Sequence, residues 1–229
     1  MHKNRVTDFF LLIVFLCFFS IGFGQNFKKI KPYNFYIGVH WNIVDDNGER
    51  FKGMLDATNV WNMKNYPSSI NFDYYFAWGW SAEVLASYNY FDTSKIINGT
   101  RGKEGHFFSF DLNAKYNFGF FMEQEIFNPF AVMGVSYTGR ETIYPQSMLG
   151  LNAGAGFDIM VYEGFGIQWR STAKVGVVPN FFNVEGDYLQ HHFGIIYKFP
   201  EDMFASNPFA KRKYGWVHQK PRFRRPGGM

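Results

Sequence analysis

Between residues 32 and 199 apolar and polar side chains alternate with a period of two. From Leu149 to Val161 the series Leu149, Leu151, Ala153, Ala155, Phe157, Ile159 and Val161 interleaves with Gly150, Asn152, Gly154, Gly156, Asp158 and Met160. Successive side chains of a strand point to opposite faces, so the segment reads as a strand with one apolar face and one small or polar face. After Tyr162-Glu163-Gly164 the scheme resumes, with Phe165, Ile167, Trp169, Ala173, Val175 and Val177 opposing Gly166, Gln168, Arg170, Thr172, Lys174 and Gly176. The stretch Phe108–Phe118 alternates as cleanly.

The pattern predicts eight strands, at about 33–44, 68–77, 80–91, 106–118, 129–138, 147–161, 165–178 and 188–199. The connections after the first, third, fifth and seventh are long or polar (45–67, 92–105, 139–146, 179–187). Those after the second, fourth and sixth are mostly tight: Trp78-Gly79, Gly119–Asn128 and Tyr162–Gly164. Short turns at one end and longer loops at the other describe an antiparallel up-and-down meander, with both chain ends on the side of the turns.

A soluble barrel also alternates, with its apolar face inside. Here the polar face carries Glu83, Asp111, Lys115, Asp158, Arg170 and Lys174 among many glycines, a set that cannot form a dry soluble core. The apolar face is aromatic near both strand ends: Tyr33, Phe35, Trp80, Phe118, Phe165, Tyr197 and Phe199 by the turns, and Trp41, Tyr90 and Phe108 by the loops. An apolar belt between two aromatic girdles is the signature of a bilayer barrel. Open edges in hydrocarbon would leave backbone groups unpaired, so the eight strands are expected to close first to last. The fold class is therefore all-β: a closed eight-stranded antiparallel up-and-down transmembrane β-barrel. A barrel of eight strands has an interior that side chains fill. Glu83, Lys115, Asp158 and Arg170 lie four to seven residues above their nearest turns, and are expected to meet in one layer as a buried ion-pair network.

Composition bears on the ends of the chain. Residues 1–24 read as a signal peptide: His2, Lys3 and Arg5, then the apolar run Phe9–Ile21, then Gly22 and Gly24 before Gln25. The alternative, a retained anchor, has a short span. The single cysteine, Cys17, lies within this run, so the chain from Gln25 onward has no disulfide, thiolate metal site or Cys nucleophile. Residues 25–199 form the barrel segment. Residues 200–229 hold seven basic and two acidic side chains with four prolines, which predicts a disordered basic tail on the periplasmic side. Its contact candidates are Lys211, Arg212, Lys213, Trp216, Arg222, Arg224 and Arg225; Tyr214, Trp216 and Val217 favour contact with an acidic or lipidic partner over a merely solvated end.

Several segments resemble a known family. The run Asn128-Pro129-Phe130-Ala131-Val132-Met133-Gly134-Val135-Ser136-Tyr137, the glycine-alternating stretch 149–176 and the closing LQHHFGIIYKF (189–199) look like an outer-membrane barrel of the OmpA/OmpX type. Residues 45–63 resemble the first external loop of such proteins. The resemblance implies location in the cell outer membrane, with N- and C-termini periplasmic, and covers about residues 32–199. OmpA itself continues into a peptidoglycan-binding domain, for which residues 200–229 are too few.

Some eight-stranded barrels are lipid-modifying enzymes, which need a Ser, a His and a carboxylate grouped near the outer end. His191 and His192 are adjacent, with alternation placing His191 outward and His192 inward, and neither has a Ser within two positions. Neighbours on a strand face opposite sides, so the pair does not make a metal site. His40 and His106 read as interfacial or loop residues. The expectation is a non-enzymatic protein without cofactor or metal, in contact with outer-membrane lipid and not with nucleic acid. Its role is structural or interactive in a Gram-negative envelope, with loops 45–67 and 92–105 (Trp61, Lys95, Arg101, Lys103) as external contact surface. Two alternatives stay open: an accessory subunit of a secretion or biogenesis complex docked on another envelope protein through the tail, and a small pore.

Overall fold

The computed structural model describes residues 33–48, 56–119, 126–141, 147–162, 164–179 and 187–200. The signal segment 1–24 and, apart from Pro200, the basic tail with Lys211, Arg212, Lys213, Trp216, Arg222, Arg224 and Arg225 lie outside them.

The described elements are strands β1 (Tyr33–Asp45), β2 (Asn62–Met63), β3 (Ser69–Ala77), β4 (Trp80–Phe91), β5 (Gly105–Asn117), β6 (Phe127–Arg140), β7 (Ser147–Tyr162), β8 (Phe165–Val178) and β9 (Tyr188–Pro200). Every strand from β3 to β8 pairs antiparallel with the next, and β1 pairs with both β3 and β9. The seam runs from Tyr33↔Pro200 to Asp45↔Leu189, so the sheet has no free edge along that line. The result is a closed cylinder of eight long strands, with β2 as an additional short strand.

The turns follow from local chemistry. Between β3 and β4 only Trp78 and Gly79 intervene, at φ of 47° and 86°. Positive φ at both central residues is the tight hairpin geometry whose twist matches the flanking strands. Between β5 and β6, Asn128 accepts the Gly119 N–H at 2.9 Å and donates to Asn117 Oδ1 at 3.0 Å, which fixes the ends of that connection.

β2 departs from the eight-strand expectation. β3 begins at Ser69, opposite His40, while β1 continues to Asp45 and β4 to Phe91. The wall above β3 is filled by Asn62 and Met63, paired to Val44 and Ile43. Asparagines stitch this patch on the lumen side: Asn89 Nδ2 donates to the Asn42 and Asn62 carbonyls at 3.1 and 2.8 Å, and Asn42 Nδ2 to the Tyr88 carbonyl at 3.2 Å.

The polarity of the cylinder is inverted. Ile70, Phe72, Phe110, Leu112, Met133, Val135, Leu151 and Ile195 are exposed on the outside, whereas Glu83, Asp111, Lys115, Asp158, Arg170 and Lys174 are buried inside. Aromatic pairs ring the turn end: Phe35 on Phe199 at 4.6 Å, Phe165 on Tyr197 at 4.6 Å and Trp80 on Tyr116 at 4.8 Å between centroids. Ionic groups within and a hydrocarbon surface without suit a bilayer as solvent.

Candidate functional site: the lumen and the loop-end rim

Along β5 the lumen face presents Lys115, Asn113, Asp111 and Ser109 at two-residue steps, and each step meets different partners. Lys115 Nζ lies 3.8 Å from Asp73 and 3.7 Å from Asp158, and donates to the Tyr36 hydroxyl at 2.5 Å. Lys198 Nζ reaches the same Asp158 at 3.2 Å, while Gln168 donates to its other oxygen at 2.7 Å. The Phe130 ring covers Lys115, its centroid 3.7 Å from the ammonium. Gly156 makes that ring position available, since a Cβ there would stand 2.6 Å from Phe130 Cζ and against the Trp169 carbonyl.

One step up, Glu83 is ion-paired with Arg170 and also accepts from Asn71 at 3.0 Å and Asn113 at 3.1 Å. Three donors on one buried carboxylate are what desolvation of that charge demands. At the next step Lys174 Nζ donates to Asp111 at 2.6 Å and to Ser109 Oγ at 2.5 Å. The six polar residues are buried inside, and Glu83, Lys115, Asp158 and Arg170, expected in one layer, lie on two successive levels. Glu83 and Arg170 form one pair, Lys115 and Asp158 belong to another, and Lys174 with Asp111 make a third. Four acids (Asp73, Glu83, Asp111, Asp158) face four bases (Lys115, Arg170, Lys174, Lys198) in this stack.

Asp73, Lys198 and Tyr36 are network members that the sequence reading missed. Alternation does place Asp73 on the inner face of β3 with Ser69 and Asn71, but the outward Ile70, Phe72, Tyr74 and Phe76 dominate that segment. His40 is a correction: it is fully buried in the lumen, not interfacial. Inward Gly38 and Gly194 leave room for its ring; at Gly194 a Cβ would come within 2.7 Å of it. His106 sits at the loop-end rim, bonded to the Tyr88 hydroxyl at 2.7 Å and edge-on to Tyr90.

Towards the loops the lumen changes character. Val44, Phe91, Ile97, Phe107, Met148 and Tyr188 form an apolar cluster across the mouth, with Ile97 contributed by the loop after β4. Tyr188 stands between the stack and the rim: its ring centroid is 5.7 Å from both Lys174 Nζ and Arg140 Cζ, and its hydroxyl meets Thr138 at 2.7 Å. Above it Arg140 donates to Asp46 at 3.0 Å.

The loops above are knitted together. The Ile96 N–H bonds the Asn59 carbonyl at 2.8 Å, and the Asn98 N–H bonds that of Asp46 at 2.9 Å. Arg101 donates to Asn59 Oδ1 at 2.9 Å, and Lys95 to the Thr58 carbonyl at 2.7 Å. Lys95 and Arg101 therefore belong to one platform, while Trp61 bonds Asp45 at the end of β1.

The structure does bring serines to the paired histidines, which sequence proximity had not. Ser171 lies opposite His191 on the outer wall, Oγ to Nδ1 2.7 Å, and Ser87 meets His192 Nε2 inside at 3.1 Å. Asp45 Oδ2 stays 4.0 Å from His191 Nε2, beyond hydrogen-bond reach. Ser171 sits mid-sheet between β7 and β9, where backbone N–H groups serve the ladder and not an oxyanion. Among the described residues no cluster of three or more His, Cys, Asp or Glu could hold a metal ion.

With this geometry in hand, OprG of Pseudomonas aeruginosa superposes with a TM-score of 0.52 at 18% identity, over 74% of this chain and 97% of that one. This chain has the fold of an eight-stranded outer-membrane β-barrel. The N-terminal barrel of P. aeruginosa OprF (14% identity, 74% of this chain, 99% of that one, TM-score 0.46) and E. coli outer membrane protein W (16%, 74%, 99%, 0.45) also match. No family model matches the sequence. No curated protein matches the sequence. At these identities the likeness is one of fold. The barrel turns its apolar belt outward, and the wall itself separates the inward charges from that belt.

Proposed function

We propose that this outer-membrane barrel is a non-enzymatic, sealed cylinder that carries an ordered loop platform on the cell surface, with a structural or interactive role in the envelope. The observation that carries this reading is the filled lumen: three ionic levels below and an apolar cluster above. A buried ion pair that lost one partner would strand a charge, so the network favours a single closed state. The same filling weighs against a small pore. The spacing of Asp45 from His191 and the committed backbone around Ser171 weigh against a hydrolase. Loops knitted by Lys95, Arg101, Ile96 and Asn98 suit a surface that a partner reads as one shape.

Planar-bilayer recording tests the reading directly. The full chain is expected to give no ohmic steps above the lipid baseline. Regular single-channel steps that vanish on denaturation would overturn the sealed state. For the tail, deletion of residues 203–229 is expected to leave barrel insertion intact; loss of co-purifying envelope proteins from that variant would favour docking through the tail.

A further inference from the structure

The patch formed by β2 leaves a hollow on the outer wall. A cleft of about 330 Å³ opens there, lined by Trp61, Met63, Lys64, Tyr90, Asp92 and Lys95 together with Ala57 and Asn62. Beneath it the wall is apolar and exposed, with Ile70 and Phe72 on β3 and Phe110 on β5. Above it lie the polar loops. The cleft therefore sits where the hydrocarbon belt gives way to headgroups, the level at which Trp and Tyr collect.

Two ammonium groups edge it. Lys64 Nζ stands 4.6 Å from the Tyr90 ring centroid. Lys95 Nζ donates to the carbonyls of Ala57 and Thr58 at 3.3 and 2.7 Å, which holds the group in place and leaves its third N–H unassigned. Among the described residues neither lysine forms an ion pair. One carboxylate shares the cleft: Asp92, held ionised below the ordinary carboxylate range, chiefly by the Ser94 backbone N–H at 2.8 Å. With Lys64 and Lys95 it leaves a net charge of +1.

The walls are set in advance. The Trp61 indole donates to Asp45 Oδ2 at 3.2 Å and its ring packs 5.2 Å from that of His191, which Ser171 holds from the other side. Asn62 Oδ1 accepts the Asp92 N–H at 3.1 Å. A ligand entering here would order little that is not already ordered.

We propose that this cleft binds the phosphorylated sugar headgroup of an outer-leaflet glycolipid. Lys64 and Lys95 hold the phosphate, Trp61 and Tyr90 face the sugar, and the acyl chains run down over Ile70 and Phe72. Lysines recognise a phosphate as point charges, and aromatic faces suit the C–H surface of a sugar. The apolar wall continuous with the cleft selects a lipid over a soluble anion. The site rests on the outer-membrane location and on the loops facing outward, and it is independent of whether the lumen conducts.

The test uses the full chain folded in detergent free of glycolipid. It is titrated calorimetrically with bisphosphorylated lipid A, with its dephosphorylated form and with inorganic phosphate. The phosphorylated lipid is expected to bind at least about tenfold more tightly than the dephosphorylated one, the worth of one charge-assisted hydrogen bond. Lys64→Gln with Lys95→Gln should erase that difference, while Lys103→Gln, on the loop but outside the cleft, should keep it. Lys64→Arg with Lys95→Arg preserves both charges and should retain binding; with heat-dependent gel mobility as a check of folding, it separates loss of charge from loss of structure. Equal affinity for the two lipid forms, unchanged binding by the double Gln variant, or inorganic phosphate bound as tightly as the lipid would each overturn the proposal.

Discussion

Below Tyr188 ionic groups line the lumen on successive levels, and above it an apolar cluster spans the mouth beside one further ion pair, Arg140 with Asp46. The lower stretch holds Asp73, Glu83, Asp111 and Asp158 against Lys115, Arg170, Lys174 and Lys198; the upper holds Val44, Phe91, Ile97, Phe107 and Met148. Both fill the same cylinder, but they tolerate change differently. An ionic level depends on one particular partner at one distance, because removing either side strands a charge. An apolar cluster depends on volume and accepts a differently shaped side chain of similar size. The ionic levels are thus specific and brittle, and the apolar cluster above them forgiving.

The largest expected effect breaks an ionic level. Arg170→Met leaves Glu83 buried without its cation and should cost about 3–5 kcal/mol, read as a lowered urea midpoint for the barrel in vesicles. Combining it with Glu83→Gln should recover most of that loss. If the single variant is as stable as the parent, the contrast between the two regions fails. Next comes the apolar cluster: Phe107→Ala should cost about 3 kcal/mol by opening a cavity. Phe107→Leu should cost less than about 1.5 kcal/mol, and less than Arg170→Lys, whose ammonium lacks the guanidinium geometry. A third variant probes packing around the lowest level. Gly156→Val should cost about 1–3 kcal/mol, because the new side chain meets Phe130 and the Trp169 carbonyl. The smallest effect belongs to the boundary. Tyr188→Phe keeps the ring between Lys174 and Arg140 and loses only the bond to Thr138, about 1 kcal/mol in the same assay.

Much of the cylinder was legible because the side-chain period of a strand is two whatever the solvent. Alternation alone sent Glu83, Asp111, Lys115, Asp158, Arg170 and Lys174 to one face, and the exposed belt to the other. Partner choice was not legible. That Arg170 faces Glu83, and Lys174 faces Asp111, depends on the stagger between strands far apart in sequence, which alternation does not encode. Ser171 and His191 show the same limit within one hairpin: their pairing is set by the register across the 179–187 connection, not by their separation of twenty residues. β2 escaped notice because two residues cannot display a period. His40 was read as interfacial, although the inward series Gly38, His40, Asn42 was already present in β1.

The pairing of Tyr33 with Pro200 has a practical corollary. Those two residues stand one strand spacing apart, about 5 Å, on the rim that carries the tight turns. A short glycine linker could therefore join them, and the polypeptide could be reopened at Trp78-Gly79 on that same rim. Such a circular permutant would begin at β4 and finish with β3, asking whether the cylinder depends on the order in which its staves are made or only on the ring they complete.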